Sequence, residues 1–456
     1  MRFYSTENHL KLVDAREAVF RGIASNSNGG TPSGLWMPEK IPALPHSFFT
    51  DLMEMSLPEI GFHVLQHYFS DVLSDNELSA ICHDAFNFPI PLVEVEKDCF
   101  ALELFHGPTL AFKDVAARFM ARLLSHLAEK EVTVLVATSG DTGSAVANGF
   151  HLVPGIFVVV LYPSGKVSEI QEKQLTTVGD NVIAIEVDGT FDDCQALVKR
   201  ALSDGELLSR RTLTTANSIN IARLLPQTIY YFHMWKMIQK QIREKGLPQD
   251  LEMIVSVPSG NFGNLTAGLI AVKMGLPIDK FVAANNVNNA VAKYLQTGFF
   301  EAQETLRTIS NAMDVGVPSN FVRMLDLFGL KTGKNHAASW NSAWRVMSKY
   351  CSGQFYTDEE TKTAIRKVAR ERGYVMDPHG AIGYLGLKTV RPQAQKPALS
   401  VFLETAHPVK FLDVVQPLVD QKITIPERLQ SALNKEKEAV FIANDYKDFR
   451  TFLMEG

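Results

Sequence analysis

Residues 103–114 read Glu-Leu-Phe-His-Gly-Pro-Thr-Leu-Ala-Phe-Lys-Asp, and the interpretation of the fold depends on this stretch. Gly107 and Pro108 indicate a loop, which delivers Lys113 to the start of a predicted helix. Beyond the lysine, apolar residues recur at the spacing that marks one buried helical face: Ala116, Met120, Leu123 and Leu127. The pattern therefore predicts an amphipathic helix that presents a lysine at its N-terminus.

The position of Lys113 has chemical consequences. In the first turn of a helix, unpaired N–H groups and the positive end of the helix dipole disfavour an ammonium. Thr109 is the expected N-cap, and Asp114 is a favourable anion for the first turn. This environment favours the neutral amine through which a lysine must pass to form a Schiff base. The alternative is a solvated lysine without a chemical role, and the rest of the chain has to distinguish the two.

The composition is typical of a globular protein. The 456 residues are 46% hydrophobic and 21% charged, which suggests two or three domains, or two large lobes of an enzyme. The net charge of −5 does not favour nucleic acid or an anionic membrane as a partner. Residues 1–9 lack the apolar segment of a signal peptide. The longest apolar run, 156–162, is far shorter than the ~20 residues of a membrane-spanning helix.

The cysteine pattern indicates no metal site. No two of the four cysteines have the CxxC spacing of a zinc ligand pair: Cys82, Cys99, Cys194 and Cys351. A disulfide framework is equally unsupported, so a reducing, cytoplasmic location fits best.

Short apolar segments alternate with helical patterns beyond residue 96. The predicted strands are brief, rich in β-branched residues and flanked by Gly, Pro, Ser or Asn: 132–138, 156–162, 182–187, 253–257, 281–284 and 398–403. Such strands, separated by helices, predict an α/β fold with parallel sheets covered on both faces.

The same pattern suggests three parts. A mainly helical N-terminal region covers 1–95, with helical segments around 15–23, 49–55, 59–73 and 75–86. A smaller α/β lobe is expected over 96–245 and a larger one over 246–456, because the long helical stretch 219–245 is followed by Gly-Leu-Pro. The turn-rich segment 25–33 is expected at the surface, and no function is assigned to it.

Ligands of open α/β sheets collect beyond the carboxyl ends of the strands, so three strand ends matter. The first is 138–144, Thr-Ser-Gly-Asp-Thr-Gly-Ser, ahead of a helix predicted over 145–150. Its small residues let backbone N–H groups approach an anion, and the helix start adds positive potential. A substrate carboxylate or a phosphate would suit this loop, although an ordinary capped strand–helix turn is an equal alternative.

The second strand end is 258–264, Pro-Ser-Gly-Asn-Phe-Gly-Asn, which precedes a predicted helix over 265–274. Two glycines and two asparagines at a helix N-terminus are typical of a phosphate cradle. The spacing matches neither a P-loop nor a dinucleotide fingerprint, so the phosphate belongs to another ligand. A simple tight turn is the alternative.

The third strand end carries Thr405, a neutral hydroxyl, followed by His407, which is more readily explained as a packed or capping histidine. Elsewhere, Arg223 lies three residues after Asn220 and would share its helical face. An arginine with amide and hydroxyl neighbours suits a phosphate oxyanion, whereas a surface arginine is the alternative. His379 lies in a Pro/Gly turn and is expected to be a turn residue.

These stretches together resemble the threonine synthase family. The opening 34–39, Gly-Leu-Trp-Met-Pro-Glu, is similar to the opening of that family. Seven motifs follow in the family's order: 105–114, 138–144, 161–168, 217–220 with Arg223, 259–264, 310–316 and 405–408. The resemblance spans roughly residues 100 to 410 and is specific because the motifs occur in sequence.

The resemblance implies a two-lobed fold type II enzyme that uses pyridoxal 5′-phosphate. Lys113 would then form the Schiff base with the cofactor, and Thr405 would face its pyridine nitrogen. Backbone amides would hold the cofactor phosphate at Gly260, Asn261, Phe262, Gly263 and Asn264. The substrate carboxylate would face Ser139, Gly140, Asp141 and Thr142, and the substrate phosphate would meet Ser218, Asn220 and Arg223.

One position departs from related enzymes of this fold. Asp141 stands where many of them have an asparagine that meets the phenolic oxygen of the cofactor, so the group making this contact is left unassigned. The implied enzyme is a carbon–oxygen lyase without a metal, a monomer or a dimer, acting in the last step of threonine biosynthesis. It would convert O-phospho-L-homoserine and water to L-threonine and phosphate by γ-elimination and β-hydration.

Two other functions compete with this reading. One is another lyase of the same fold, such as a serine/threonine dehydratase or a β-replacing synthase. The other is a catalytically silent homologue that serves as a binding protein. A second anion site near Ser218 favours a phosphorylated substrate, and the intact lysine motif argues against a silent protein.

Overall fold

The computed structural model describes residues 1–24, 34–248, 250–329 and 337–455. The turn-rich segment 25–33 lies outside the described residues. Within the described ranges, every helix is too short or too polar to cross a bilayer.

The strands occur in both halves of the chain. In order they are β1 Arg2–Ser5, β2 Asn8–Asp14, β3 Trp36–Pro38, β4 Leu92–Glu96, β5 Cys99–Glu103, β6 Val132–Ala137, β7 Ile156–Pro163, β8 Val182–Asp188, β9 Thr212–Thr215, β10 Glu252–Pro258, β11 Lys280–Asn285, β12 Cys351–Phe355, β13 Ala398–Glu404 and β14 Val440–Ala443. All six strands expected from apolar segments are confirmed to within one or two residues. Two strands were missed for different reasons: β9 has only four residues, and β12 contains Ser, Gly and Gln in place of an apolar run.

The α-helices alternate with the strands from β5 onward. They are α1 Ala15–Arg21, α2 His46–Asp51, α3 Leu57–Phe69, α4 Asp75–Ala85, α5 Lys113–Leu127, α6 Asp141–Phe150, α7 Glu169–Thr176, α8 Phe191–Ala201, α9 Gly205–Arg210, α10 Ile221–Leu224, α11 Thr228–Lys245, α12 Gly263–Lys273, α13 Ala290–Thr297, α14 Phe321–Leu327, α15 Ala337–Tyr350, α16 Asp358–Arg372, α17 Pro378–Val390, α18 Leu412–Val415, α19 Glu427–Leu433 and α20 Tyr446–Glu455.

The helix expected over 219–245 is interrupted. It divides into α10, a 3-10 turn at Leu225–Gln227 and α11. Pro226 in the turn has no N–H to continue the helical ladder, so the break has a local cause. Helix α11 ends at Gly246, whose left-handed φ of 62° suits a glycine cap.

The N-terminal region is not as helical as its sequence suggests. Strands β1, β2 and β3 form an antiparallel sheet in the order β2-β1-β3. The expected helices are present as α1 to α4, and capping boxes at Ser56 and Ser74 begin α3 and α4. The sheet was missed because β2 is largely exposed and its apolar alternation is weak.

Two larger sheets carry the α/β architecture, and both are essentially parallel, as predicted. One has the order β12-β11-β10-β13-β5-β4, in which only β4 pairs antiparallel, with β5. The other has the order β14-β8-β7-β6-β9, with every neighbour parallel. Buried, nearly continuous apolar strands such as β6 are typical of sheets covered by helices on both faces.

The chain crosses between these sheets more often than the expected lobe boundaries allow. Strand β5 pairs with β13 although it falls within 96–245, and β14 pairs with β8 although it falls within 246–456. The expected division is therefore wrong for these two strands, because backbone pairing joins segments that are distant in sequence. As a result, β5 places the loop containing Lys113 beside the end of β13.

Helix α5 follows that loop and anchors it. The expected apolar face is confirmed, since Ala116 is buried and Met120, Leu123 and Leu127 are buried in the main core. A fully buried leucine or methionine contributes about 1.5–3 kcal/mol relative to an exposed one. This burial holds the first turn of α5 at the edge where β5, β10 and β13 end.

Candidate active site

The lysine loop lies directly against the segment that carries Thr405. The Phe112 N–H donates to the Thr405 carbonyl at 2.9 Å, and the His407 N–H donates to the Leu110 carbonyl at 3.0 Å. Ala111 and Ala406 form an isolated antiparallel bridge between these contacts. The backbone thus fixes Lys113 close to the end of β13, although the two segments are almost 300 residues apart in sequence.

The start of α5 differs from the sequence prediction. Phe112 is the N-cap and makes no side-chain capping bond, so Thr109 is not the cap. Instead, the Thr109 N–H and hydroxyl donate to the Asp114 carboxylate at 2.9 and 2.6 Å, which closes the loop. A Cβ on Gly107 would come within 2.4 Å of that carboxylate, so this position requires glycine.

Lys113 is half-buried and its amine has no hydrogen bond or ion pair with any described residue. Burial lowers its pKa to about 8, against the opposing effect of Asp141 and with the help of Lys410 and Arg223. The helix terminus was also expected to lower this pKa, but burial is the principal cause of the shift. The neutral amine is therefore more populated near neutral pH than in a free lysine, although the ammonium is still the major form.

The loop predicted to form a phosphate cradle follows β10. The backbone N–H groups from Gly260 to Asn264 have no acceptor among the described residues, because they lie ahead of the first hydrogen-bonded turn of α12. Phe262 is the N-cap in the left-handed conformation, with φ of 60°, and offers no side-chain cap. Consecutive free N–H groups at a helix N-terminus form a ready site for a phosphate.

The shape of this cradle is fixed by its neighbours. A Cβ on Gly260 would lie 2.5 Å from the Ala312 carbonyl, so only glycine allows the close approach of the 310–316 segment. The Asn261 amide donates to the Ser218 hydroxyl at 2.6 Å and accepts from the Ser319 N–H. The Asn264 amide donates to the Pro258 carbonyl at 2.9 Å. These side chains hold the loop and leave its backbone N–H groups free.

His379 supports the cradle from behind. It donates or shares a proton with Asp377 through Nδ1 at 2.5 Å, and its Nε2 accepts from the Ala312 N–H at 3.2 Å. Ala312 is the residue that covers Gly260. His379 lies in the first turn of helix α17, so the expected Pro/Gly turn is a helix start, and its buried contacts are structural.

The loop 138–144 offers a second set of N–H groups. The Thr138 hydroxyl accepts from the Gly140 and Gly143 N–H groups at 2.9 and 2.7 Å. The N–H groups of Ser139, Asp141 and Thr142 have no acceptor among the described residues. Helix α6 begins at Asp141, four residues earlier than predicted, and its N-terminus therefore belongs to this loop.

The Asp141 side chain does not face a substrate carboxylate. Its Oδ1 forms an ion pair with Lys410 at 2.8 Å and accepts from the Gln171 amide at 2.9 Å. Burial would raise the pKa of Asp141, but Lys410 and Lys113 hold it well below its usual range. Because the carboxylate is itself an anion, only the backbone N–H of Asp141 could serve a substrate carboxylate.

The residues proposed for a substrate phosphate have different surroundings. Arg223 is buried, its Nη1 donates to the Ala216 carbonyl, and its Nε has no partner. Burial lowers the pKa of Arg223 to about 10, so its guanidinium still carries a charge. Ser218 lies beside the cradle, where its hydroxyl accepts from Asn261 and Asn320.

Asn220 does not fit the expected role. It is the N-cap of α10, not a helical residue on the face of Arg223, and its Oδ1 accepts from the Ala222 N–H. Both amide hydrogens are used, by the Val19 and Thr215 carbonyls at 2.9 and 3.0 Å. With no free donor and no exposed surface, this geometry argues against phosphate binding by Asn220.

Thr405 remains available for a ligand. It is buried, its carbonyl accepts from Phe112, and its hydroxyl makes no hydrogen bond with the described part of the chain. His407 caps the following turn, since its Nδ1 accepts from the Val409 N–H at 3.1 Å, and burial lowers its pKa to about 4. The expectation of a capping histidine is confirmed.

Sequence reasoning missed three residues at this site: Lys410, Gln171 and Arg323. Lys410 is wholly buried and lies just beyond the quoted 405–408 motif, between Val409 and Phe411. A lysine between apolar neighbours is a signal that could have been noticed. The Ser168–Gln171 capping box marks the start of α7 but does not reveal the contact of Gln171 with Asp141. Arg323 has one near contact, with Asn320, and its other partners are distant in sequence.

Comparisons with known proteins agree with this geometry. The family model described as "Pyridoxal-phosphate dependent enzyme" matches residues 87–405. The model "Threonine synthase N terminus" matches residues 2–86, and "Threonine synthase, C-terminal" matches residues 380–453. The three matches cover nearly the whole chain.

Individual relatives extend over the full length. A threonine synthase from Haemophilus influenzae is 40% identical over 457 residues, covering 100% of both chains. The crystal structure of threonine synthase from Escherichia coli is 37% identical with a TM-score of 0.87, covering 100% of this chain and 99% of that one. A structure of PLP-bound threonine synthase from Brucella melitensis is 31% identical with a TM-score of 0.87, covering 99% and 98%. The chain therefore belongs to the threonine synthase family of fold type II, pyridoxal-phosphate-dependent lyases.

Proposed function

We propose that this protein converts O-phospho-L-homoserine and water to L-threonine and phosphate. The observation that carries the proposal is the presence of two separate sets of free donors near one low-pKa lysine. The first set is the backbone cradle 260–264, and the second is the guanidinium of Arg223. One anion site suits the phosphate of the cofactor, and the other suits a phosphorylated substrate.

The residues present fit pyridoxal phosphate. Lys113 supplies an amine that is partly neutral, the cradle supplies N–H groups, and Gly260 leaves room for close approach. Thr405 supplies a neutral hydroxyl for the pyridine nitrogen. When bound, the cofactor supplies an electron sink that stabilises negative charge on the carbon atoms of the substrate.

Lys113 has two tasks in this proposal. At rest its Nζ binds the cofactor covalently, and when the substrate amine takes its place the free amine becomes the base for the α-proton. A pKa of about 8 suits both tasks, because the amine accepts a proton readily and also loses it near neutral pH. The same Nζ would carry protons between neighbouring substrate carbons.

The remaining donors orient the substrate. The N–H groups of Ser139, Asp141 and Thr142, with the free hydroxyls of Ser139 and Thr142, would hold the substrate carboxylate. Arg223 and the Ser218 hydroxyl would hold the phosphate that departs. Two anchored ends restrict the motion of the intervening carbons, which favours ordered proton transfer.

The experiment compares products from three substrates. Purified protein with pyridoxal phosphate is assayed for phosphate and threonine from O-phospho-L-homoserine, and for 2-oxoacids from serine and threonine. We expect equal amounts of phosphate and threonine, and little 2-oxoacid. Formation of pyruvate from serine or of 2-oxobutyrate from threonine, without phosphate release from O-phospho-L-homoserine, would favour the dehydratase alternative.

A second experiment tests the cofactor lysine. Borohydride reduction of the protein with pyridoxal phosphate, followed by peptide mapping, is expected to label Lys113. The buried Lys410 provides an internal control, because it is held in an ion pair and is expected to remain unlabelled. Absence of a visible absorption band and of labelled Lys113 would favour a catalytically silent homologue.

The location and assembly are part of the same proposal. The four cysteines are free and buried, and burial raises the pKa of their thiols, which suits a reducing cytoplasm. The protein acts on a small molecule, and we expect a monomer or a dimer. Size-exclusion chromatography with light scattering distinguishes the two assemblies.

A further inference from the structure

Lys410 is a buried lysine that the proposed reaction does not use. It lies in the 3-10 turn Pro408–Phe411, and its side chain is 0% exposed. Its ammonium contacts Asp141 Oδ1 at 2.8 Å, the Thr109 carbonyl at 3.0 Å and the Ser144 hydroxyl at 3.5 Å. A lysine buried to this extent is costly unless it is paired and hydrogen-bonded, and here it is both.

These contacts join three separate parts of the site. Thr109 belongs to the lysine loop, and Asp141 and Ser144 belong to the loop and helix that follow β6. Lys410 itself follows Thr405 at the end of β13. One ammonium therefore connects the ends of β5, β6 and β13, which come from two different sheets.

The position of Asp141 within this pair is rigid. Its Oδ1 also accepts from the Gln171 amide, and Gln171 in turn accepts from Asn311 at 3.4 Å. A Cβ on Gly140 would lie 2.4 Å from the Gln171 side chain, so the backbone at Gly140 packs closely against it. Asp141 cannot turn from Lys410 toward another cation without breaking these contacts.

Charged neighbours affect the protonation of Lys113 in both directions. Asp141, Lys410 and Arg223 act directly on it, while Asp114 acts on Lys410 and Arg223. Asp141 alone would favour a protonated Lys113, since an opposite charge in a buried site stabilises the ammonium. Lys410 is the cation that is in contact with Asp141 and offsets its charge.

We propose that Lys410 is a positioning residue that holds Asp141 in a neutral pair, so that Lys113 can exist as the free amine. This inference rests on the proposed role of Lys113 as the cofactor lysine, although its test does not require turnover. A carboxylate is tolerated here because Lys410 compensates its charge.

The test compares Lys410→Met, Asp141→Asn and the double variant. The pKa of Lys113 is measured on the full-length protein after cofactor removal, from the pH dependence of its reductive methylation followed by peptide mapping. We expect Lys410→Met to raise this pKa by about one unit, because the compensating cation is lost. Asp141→Asn is expected to lower it by about one unit, because two cations then remain. The double variant is expected to fall between the two.

Controls keep the result interpretable. Lys396→Met removes an exposed lysine, paired with Asp250 far from the site, and is expected to leave the pKa of Lys113 unchanged. If Lys410→Met fails to fold because Asp141 is left unpaired, comparing the double variant with Asp141→Asn still isolates Lys410. In that comparison the pKa of Lys113 is expected to rise.

The proposal is overturned if folded Lys410→Met, or the double variant relative to Asp141→Asn, shows no rise. Shifts of the same sign in both single variants would also overturn it. A failure of the proposed reaction would appear differently, as the absence of threonine formation by the unaltered protein. The second readout is the pH at which the visible absorption band of the cofactor-loaded protein changes. We expect this pH to rise in Lys410→Met and to fall in Asp141→Asn.

Discussion

Two buried arginines near the candidate site use their guanidinium groups in opposite ways. Arg323 is fully buried and donates to the carbonyls of Trp36, Ser218 and Ile219 and to the Asn320 amide. Arg223 is almost equally buried but donates only to the Ala216 carbonyl among the described residues. One guanidinium is saturated with protein acceptors, and the other has donors to spare.

We infer from this difference that Arg323 has a structural role and that Arg223 is available to a ligand. Arg323 joins the N-terminal sheet to the segment 218–219, which leads directly into the helix that carries Arg223. A buried donor without a partner costs about 1–3 kcal/mol, so it persists where a ligand provides the acceptor. The same contrast holds between the saturated Asn220 amide and the free N–H groups of the cradle 260–264.

Among the groups with free hydrogen-bond donors, we expect the largest effect from Lys113→Ala. We expect kcat/KM for threonine formation to fall by at least about 1,000-fold, because covalent attachment and the proton carrier are lost together. The protein should remain folded, since the Lys113 amine makes no hydrogen bond within the described residues. Activity close to that of the unaltered protein would show that this lysine does not carry the chemistry.

The saturated arginine is tested by Arg323→Met. We expect the free energy of unfolding to fall by about 3–5 kcal/mol, because several buried carbonyls lose a charged donor. Urea denaturation measures the change, and Arg370→Met, at an exposed ion pair, is the control with little expected effect. If Arg323→Met is as stable as its control but binds the substrate more weakly, Arg323 contacts the substrate and the two arginines do not differ in role.

The unsaturated arginine is tested by Arg223→Met. We expect kcat/KM for O-phospho-L-homoserine to fall by about 100-fold, because a charged hydrogen bond to phosphate contributes about 1.5–3 kcal/mol. Stability should change by less than about 1 kcal/mol, since only the bond to Ala216 is lost. Arg223→Lys keeps the charge and should recover part of the affinity. A large loss of stability with unchanged kinetics would show that Arg223, like Arg323, has a structural role.

The smallest expected effect is on the cradle, through Gly260→Ala. The added Cβ would meet the Ala312 carbonyl at 2.5 Å and displace the loop, so pyridoxal phosphate should bind about 10-fold more weakly. Titration of the visible absorption band measures the affinity. Gly205→Ala, with nothing within 4 Å of the new Cβ, is the matched control. Equal affinities in the two variants would show that the cradle does not bind the cofactor phosphate.

Parts of this site follow from sequence because their physical causes are local. The apolar strands, the glycine-rich strand ends and the amphipathic face behind Lys113 are all set by residues within a few positions of one another. The predicted capping role of His407 also depends only on its neighbours. Thr109 and Asn220 were misassigned because short polar side chains bond equally well to a loop, a cap or a ligand: Thr109 bonds Asp114 within the loop, and Asn220 caps α10.

The sequence by itself determined the α/β class, the candidate cofactor lysine and the two anion-binding loops, since each is a short-range pattern. Only the tertiary structure decided that β5 and β14 each pair with a strand of the other expected lobe. It also decided which arginine has free donors. It also decided the pairing of Lys410 with Asp141, across 269 positions of the chain. Such contacts depend on where distant segments pack, and packing depends on the whole core.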